Sequence, residues 1–178
     1  MSRLLPILTE RLELRALRLE DAAPLFHHVY GDPEVMRWVA GGTLPDVAAS
    51  EAAVQRFMAH QRAHGYSWWA VLERATGELV GDAGLYSYED RGPLVELGYT
   101  FARRAWGKGY ATEAATATLD AAFGPLGLDR VTAVVRPENG ASQRVLENAG
   151  MERDGRTTYF GAEHLRFVAT RATWRRRP

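Results

Sequence analysis

The segment Arg103-Arg104-Ala105-Trp106-Gly107-Lys108-Gly109-Tyr110-Ala111-Thr112-Glu113-Ala114-Ala115 joins a strand pattern to a helix pattern. Before it, Val95, Leu97, Tyr99 and Phe101 alternate with Glu96, Gly98 and Thr100, the period of a strand with two unlike faces. After it, Ala111, Ala115, Leu119 and Ala122 recur at helical spacing. Gly107 and Gly109 allow a tight turn and a close backbone approach to a ligand. Free N–H groups at the start of the helix, helped by its dipole, then make an anion site. Two common phosphate loops do not fit. The loop of nucleotide hydrolases needs an earlier Gly and a Ser or Thr after Gly-Lys, but Gly109 follows Lys108. The dinucleotide fingerprint needs a third Gly where Thr112 stands.

A β-branched strand pattern follows at residues 130–135, and then a second motif. Asn139 suits a helix N-cap and Gly150 its C-terminal stop, with Ala141, Val145, Leu146 and Ala149 as the expected buried stripe. Together the two motifs resemble the GNAT superfamily of N-acetyltransferases. The superfamily's acetyl-CoA loop reads Arg or Gln, two residues, Gly, one residue, Gly or Ala; Arg104, Gly107 and Gly109 match it. The wider Trp106-Gly107-Lys108-Gly109-Tyr110-Ala111-Thr112-Glu113-Ala114 looks like the RimJ/RimL-type branch, which includes acetyltransferases of ribosomal-protein N-termini. The second motif, Asn139 with a small residue three positions on and an apolar helix ending in Gly, is similar to the superfamily's own. The resemblance covers essentially the whole chain and is sharp over residues 94–151.

The resemblance implies one α/β domain over residues 1–178. Its fold would be a mixed, mostly antiparallel central sheet of about six to seven strands, with helices on both faces and a splay between the central strands. It implies acetyl-CoA as co-substrate, with no metal, and N-acetylation of a primary amine on a protein N-terminus or a small molecule. The alternative is an acyl-CoA-binding protein of the same fold without transfer. Amides of Arg104, Ala105, Trp106, Gly107, Lys108 and Gly109, continuing into Tyr110 and Ala111, would hold the pyrophosphate. Backbone N–H groups near Leu97, Gly98 and Tyr99 would bond the pantetheine arm or the carbonyl oxygen, and Asn139 would reach the arm from the other side.

Glu96, on the non-core face of the central strand, is the candidate base, since burial would raise its pKa toward the working pH. Its plainer role is a cross-strand partner, and a water chain held by Asp82 is the competitor. An N-terminal amine, with a pKa near ~8, needs little help. For the acid the chain departs from many superfamily members, whose donor is a Tyr where Leu146 stands here. Ser142 occupies the small-residue position, where RimJ/RimL-type enzymes also carry Ser; it would protonate the thiolate or bond the arm. Tyr159 is the alternative donor. In the resemblance two early helices, at residues 20–30 and from Thr43 and Pro45 to about residue 64, wall the acceptor side. His27, His28, Trp38, His60 and His64 lie on or near them as candidates for substrate contact; the plainer reading, exposed helix histidines and a packing Trp38, suits each better.

Composition narrows the classes further. With 178 residues the chain can bury a real core. Formal net charge is zero, which argues against general nucleic-acid binding, and the basic tail Arg175-Arg176-Arg177-Pro178 reads as a solvated end. The absence of cysteine removes thiol nucleophiles, disulfides and thiolate metal sites, and fits a cytoplasmic location. No apolar run is long enough for a membrane helix. A homodimer stays open. Further strands are expected near residues 12–15, 67–73, 79–86, 151–160 and 165–174, with Trp68 and Trp69 facing opposite ways, and a polar turn at residues 89–93.

Overall fold

The computed structural model describes residues 4–88 and 94–174, so the expected turn at 89–93 and the basic tail lie outside the described residues. Eight strands form one sheet: β1 Ile7–Leu8, β2 Leu12–Ala16, β3 Trp68–Glu73, β4 Leu79–Ser87, β5 Val95–Phe101, β6 Arg130–Val135, β7 Glu152–Tyr159 and β8 Ala162–Thr170. Their spatial order is β1-β2-β3-β4-β5-β6-β8-β7, antiparallel except between β5 and β6. The sheet is thus the expected mixed, mostly antiparallel one, with more strands than the sequence suggested. The short β1 escaped notice because two residues carry no period.

Alternation sorts the sheet's two faces. Leu97, Tyr99 and Phe101 point to the same side as Trp69, Val71 and Leu85. There α4, Tyr110–Phe123, packs through small residues, including Ala114, Ala115 and Ala122, that let it lie close to the strands. Helix α5, Gly140–Asn148, joins it through Leu146 and Ala149. Ala141, expected in that stripe, is instead exposed, because the first turn of α5 overhangs the opening between β5 and β6 rather than the core.

The other face carries α1 Ala22–Leu25, α2 Pro33–Met36 and α3 Val47–His64. The first continues into a wide π turn at Phe26–Tyr30, and Pro24 falls in its opening turn, where its missing N–H costs nothing. Helix α3 begins later than Thr43 and Pro45 suggest, because Asp46 is the residue whose side chain caps it, accepting from the Ala49 N–H at 2.8 Å. It ends as expected at Gly65, in the left-handed conformation. Val54 is buried and Phe57, Met58 and Gln61 are half-buried, as the inner face requires. Two polar residues join them. Ser50 donates to the Ala22 carbonyl at 2.8 Å, and His60 donates from Nδ1 to the Tyr66 carbonyl at 2.8 Å while Nε2 faces Ser87.

Asp82 lies mid-strand on this face, buried, and receives the Tyr30 hydroxyl proton bond. Burial pushes its pKa from the ordinary 3.8 to about 6, against the pull of bonds from Tyr30 and Thr100. A carboxyl whose folded pKa is raised binds its proton more tightly folded than unfolded. Stability therefore falls as pH rises from about 4 through about 6. Asp82→Asn, followed by urea denaturation across that range, should show a fall smaller than wild type by on the order of 2–3 kcal/mol; equal slopes would mean Asp82 titrates normally.

Candidate active site

β5 and β6 meet at a single parallel pair, Glu96 with Thr132, and the Thr132 hydroxyl adds a bond to the Val95 carbonyl at 3.3 Å. Beyond this point they diverge. Each keeps its outer antiparallel partner, β5 with β4 and β6 with β8. The result is a V-shaped cleft of about 820 Å³. Leu97, Gly98 and Tyr99 line one arm of the V, and Ala133 to Arg136 line the other. Among the described residues, backbone groups on the facing edges have no partner strand across the gap, so they are available to a ligand.

The glycine loop closes one mouth of this cleft. After β5 the chain makes a 3-10 turn at Arg103–Ala105, and Gly107 and Gly109 both adopt positive φ, +73° and +80°. Gly109 is the N-cap of α4, and no side chain among the described residues caps that helix. The N–H groups of its first turn thus point into open space beside Trp106, Gly107, Tyr110 and Ala111, all of which line the cleft.

Residues that sequence reasoning passed over hold this loop from behind. Glu113 accepts from the Thr9 hydroxyl at 2.6 Å, the Arg11 N–H at 2.8 Å and the Arg11 guanidinium at 2.7 Å. Arg11 also donates to the Lys108 carbonyl at 2.7 Å. Tyr110 donates to Glu73, and Lys108 lies 3.9 Å from the same carboxylate. Arg104 turns away from the cleft to the Leu79 carbonyl, 2.7 Å distant. Of the loop residues expected to hold a phosphate, then, Arg104 and Lys108 do not line the cleft, while Ala105, Trp106, Gly107, Gly109, Tyr110 and Ala111 do. The signal for Glu113 was present in sequence: an acid in the first turn of a helix that carries an anion site needs a cation to cancel it.

At the other strand, Asn139 caps α5, its Oδ1 accepting from the Ser142 N–H at 3.1 Å. Ser142 faces β5, where the Tyr99 hydroxyl lies 2.7 Å from its Oγ and 3.1 Å from its carbonyl oxygen. Burial pushes the Tyr99 phenol well up, so it stays protonated. A phenol has one proton. When it goes to the Ser142 carbonyl, Ser142 must donate to Tyr99; when it goes to Oγ, the serine proton is free to point into the cleft. The sequence offered Tyr99 only for its backbone.

Below the V, Glu96 is 7% exposed and accepts from the Tyr159 hydroxyl, which reaches over from β7. Two residues considered separately in the sequence are therefore partners. Asp82 points to Tyr30 and does not line the cleft. Trp38 does, as does Trp68; Trp69, on the opposite face, is fully buried. His27 and His28 are exposed away from the cleft, and the His64 ring lies tilted against His60 with centroids 4.3 Å apart. Among the described residues no group of three or more His, Cys, Asp or Glu side chains is arranged to hold a metal, and no helix is long and apolar enough to cross a membrane.

Comparison with known proteins agrees with this fold. Residues 11–152 match the family model of the acetyltransferase (GNAT) domain. The chain is 36% identical over 146 residues to the uncharacterized protein YkkB of Bacillus subtilis, covering 82% of this chain and 84% of that one. The crystal structure of a GNAT-family acetyltransferase from Bacillus anthracis superposes with a TM-score of 0.80 at 26% identity, covering 93% of this chain and 98% of that one. Mycobacterium smegmatis RimJ in complex with CoA-disulfide superposes with a TM-score of 0.75 at 27% identity, covering 89% and 81%.

The bonds to Glu113 yield a prediction. Burial pushes its pKa up, but the bonds from Thr9 and Arg11 outweigh burial and hold it below the ordinary value. The stabilisation is complete above pH 4.5 and lost as pH falls through the folded pKa. Glu113→Gln should cost about 1 kcal/mol near neutral pH, since Arg11 is partly solvated, and nothing in acid. Denaturant midpoints for both proteins at the two pH values check this.

Proposed function

This chain belongs to the GNAT acetyltransferase family and is an acetyl-CoA-dependent acyltransferase, and we propose that it moves the acetyl group to a primary amine. The observation that carries the reading is the V between β5 and β6 with an uncapped helix start at its mouth. The first-turn amides of α4, with those of Trp106 to Gly109, bind the pyrophosphate. The pantetheine arm runs down the V against the open edge of β5, with Asn139 and Ser142 on its other flank. Support for a CoA-type ligand in this groove comes also from the RimJ relative, whose structure carries CoA-disulfide.

The reaction follows from what surrounds the thioester. The incoming ammonium gives a proton to Glu96, whose second neighbour Tyr159 orients the carboxylate. The amine lone pair attacks the thioester carbonyl carbon. Backbone N–H groups of Leu97 to Tyr99 hold the oxygen as it gains charge. Collapse breaks the C–S bond, leaves the acetamide after loss of the second nitrogen proton to solvent, and releases a thiolate. Ser142 supplies the proton to sulfur and regains one from solvent, while Tyr99 keeps its proton and orients Oγ through the bond between them. Leu146, buried where many superfamily members place the donor Tyr, takes no part.

Two variants test this. Gly109→Val puts a branched side chain at a positive-φ position beside the phosphate amides; acetyl-CoA affinity by titration calorimetry should drop by about tenfold or more, and an unchanged affinity would remove the loop from the binding site. Glu96→Gln keeps shape and removes basicity. Its turnover should fall by ~10²-fold or more, most steeply at low pH where the acceptor is protonated. A pH–rate profile like wild type would pass the base role to water.

A further inference from the structure

The α2 end of the cleft carries more aromatic surface than the transfer reaction needs. Trp68 and Tyr86 stack with ring centroids 6.5 Å apart, and Tyr86 continues to Tyr88 at 4.9 Å. Tyr88 meets the edge of Tyr159 at 6.4 Å, and Tyr159 meets Phe160 at 5.0 Å. This line of rings runs past Glu96, which is paired with Tyr86 across β4 and β5 and is bonded to Tyr159. Trp38 adds a further aromatic side chain to the cleft lining.

Three features set this aromatic surface in the cleft. Trp68 lies across Gly98 so closely that a Cβ on Gly98 would collide with its indole, so the absent side chain on β5 makes room for the ring. Phe160 sits at the tip of the β7–β8 hairpin, 63% exposed, with φ +47°, a conformation that favours glycine. Its ring packs edge-on against Tyr159 and lines the cleft. Finally, Glu96 is the one buried carboxylate lining the cleft among the described residues. The exposed pair at this end, Arg37 and Glu34, is mutually neutralised at 3.3 Å, and His164 is held by the Ala162 carbonyl.

Resting on the transferase reading above, we infer that the acceptor is a primary amine carried on an aromatic body, an arylalkylamine. Ring faces attract the cation and stack on the aryl group. A polyamine would bring no ring to stack on these faces. A phosphorylated amino sugar would bring an anion against Glu96 and the ring faces.

Acetylation read by thiol release at saturating acetyl-CoA tests this with phenethylamine, ethanolamine, spermidine, a phosphorylated amino sugar and an alanine-led tripeptide. Phenethylamine should exceed each of the others in kcat/KM by about tenfold or more. In Trp68→Leu its advantage over ethanolamine should shrink to about threefold or less, while calorimetry shows wild-type acetyl-CoA affinity. If that variant does not fold, Phe160→Ser, at an exposed hairpin tip, should reduce the same ratio. Ethanolamine, spermidine or the tripeptide matching phenethylamine, or a ratio unmoved in the variants, would overturn this inference and leave the transferase reading intact. Acetyl-CoA binding without acetylation of any amine would overturn both.

Discussion

The architecture depends on one parallel strand pair, Glu96 with Thr132. β5 and β6 are held firmly on their outer edges by β4 and β8, so they can part on their inner edges without the sheet coming undone. Unpaired backbone groups are ordinarily a liability inside a protein. Here they lie between two helices, α4 and α5, that cover the core beside the gap without filling it. Moving the fork by even one residue would change which β5 amides face the cleft and which side Glu96 occupies, because strand faces alternate.

Around that fork the supporting groups are fixed before any ligand arrives. The loop that ends β5 could not keep two positive-φ glycines and an uncapped helix start in one arrangement by its own propensities. Arg11, just before β2, does this with Glu113 of α4 itself, and Glu73 does it through Tyr110. On the opposite side Arg103 donates to Asp32 at 2.7 Å, and Asp32 caps α2 through the Glu34 N–H. The phosphate end and the acceptor end of the cleft are thereby tied to one short stretch of chain. Preorganisation of this kind places donors without reorganisation during reaction.

Much of this was legible in the sequence because it rests on local periodicity and turn chemistry. The faces of β5, the glycine turn, the Asn139 cap and the Gly65 stop are all set within a few residues of chain, and the family resemblance supplied the order of the pieces. The eighth strand was hidden because two residues show no period. Ala141 was misplaced because helical spacing locates a stripe but not where the neighbouring sheet ends. The pairings of Glu96 with Tyr159 and of Tyr99 with Ser142 join residues 63 and 43 positions apart. Nothing in a linear pattern brings them together; only the order β6-β8-β7 and the overhang of α5 do. The aromatic line from Trp68 to Phe160 was invisible for the same reason.

The account's central claim is that the open edge of β5 seats the thioester arm. Backbone amide resonances followed by NMR during acetyl-CoA titration test it most directly. Leu97, Gly98 and Tyr99 should shift in step with Gly107, Gly109 and the first turn of α4, with a common dissociation constant, and the Ser142 amide should move with them. Shifts confined to the glycine loop, with β5 unmoved at saturation, would contradict it.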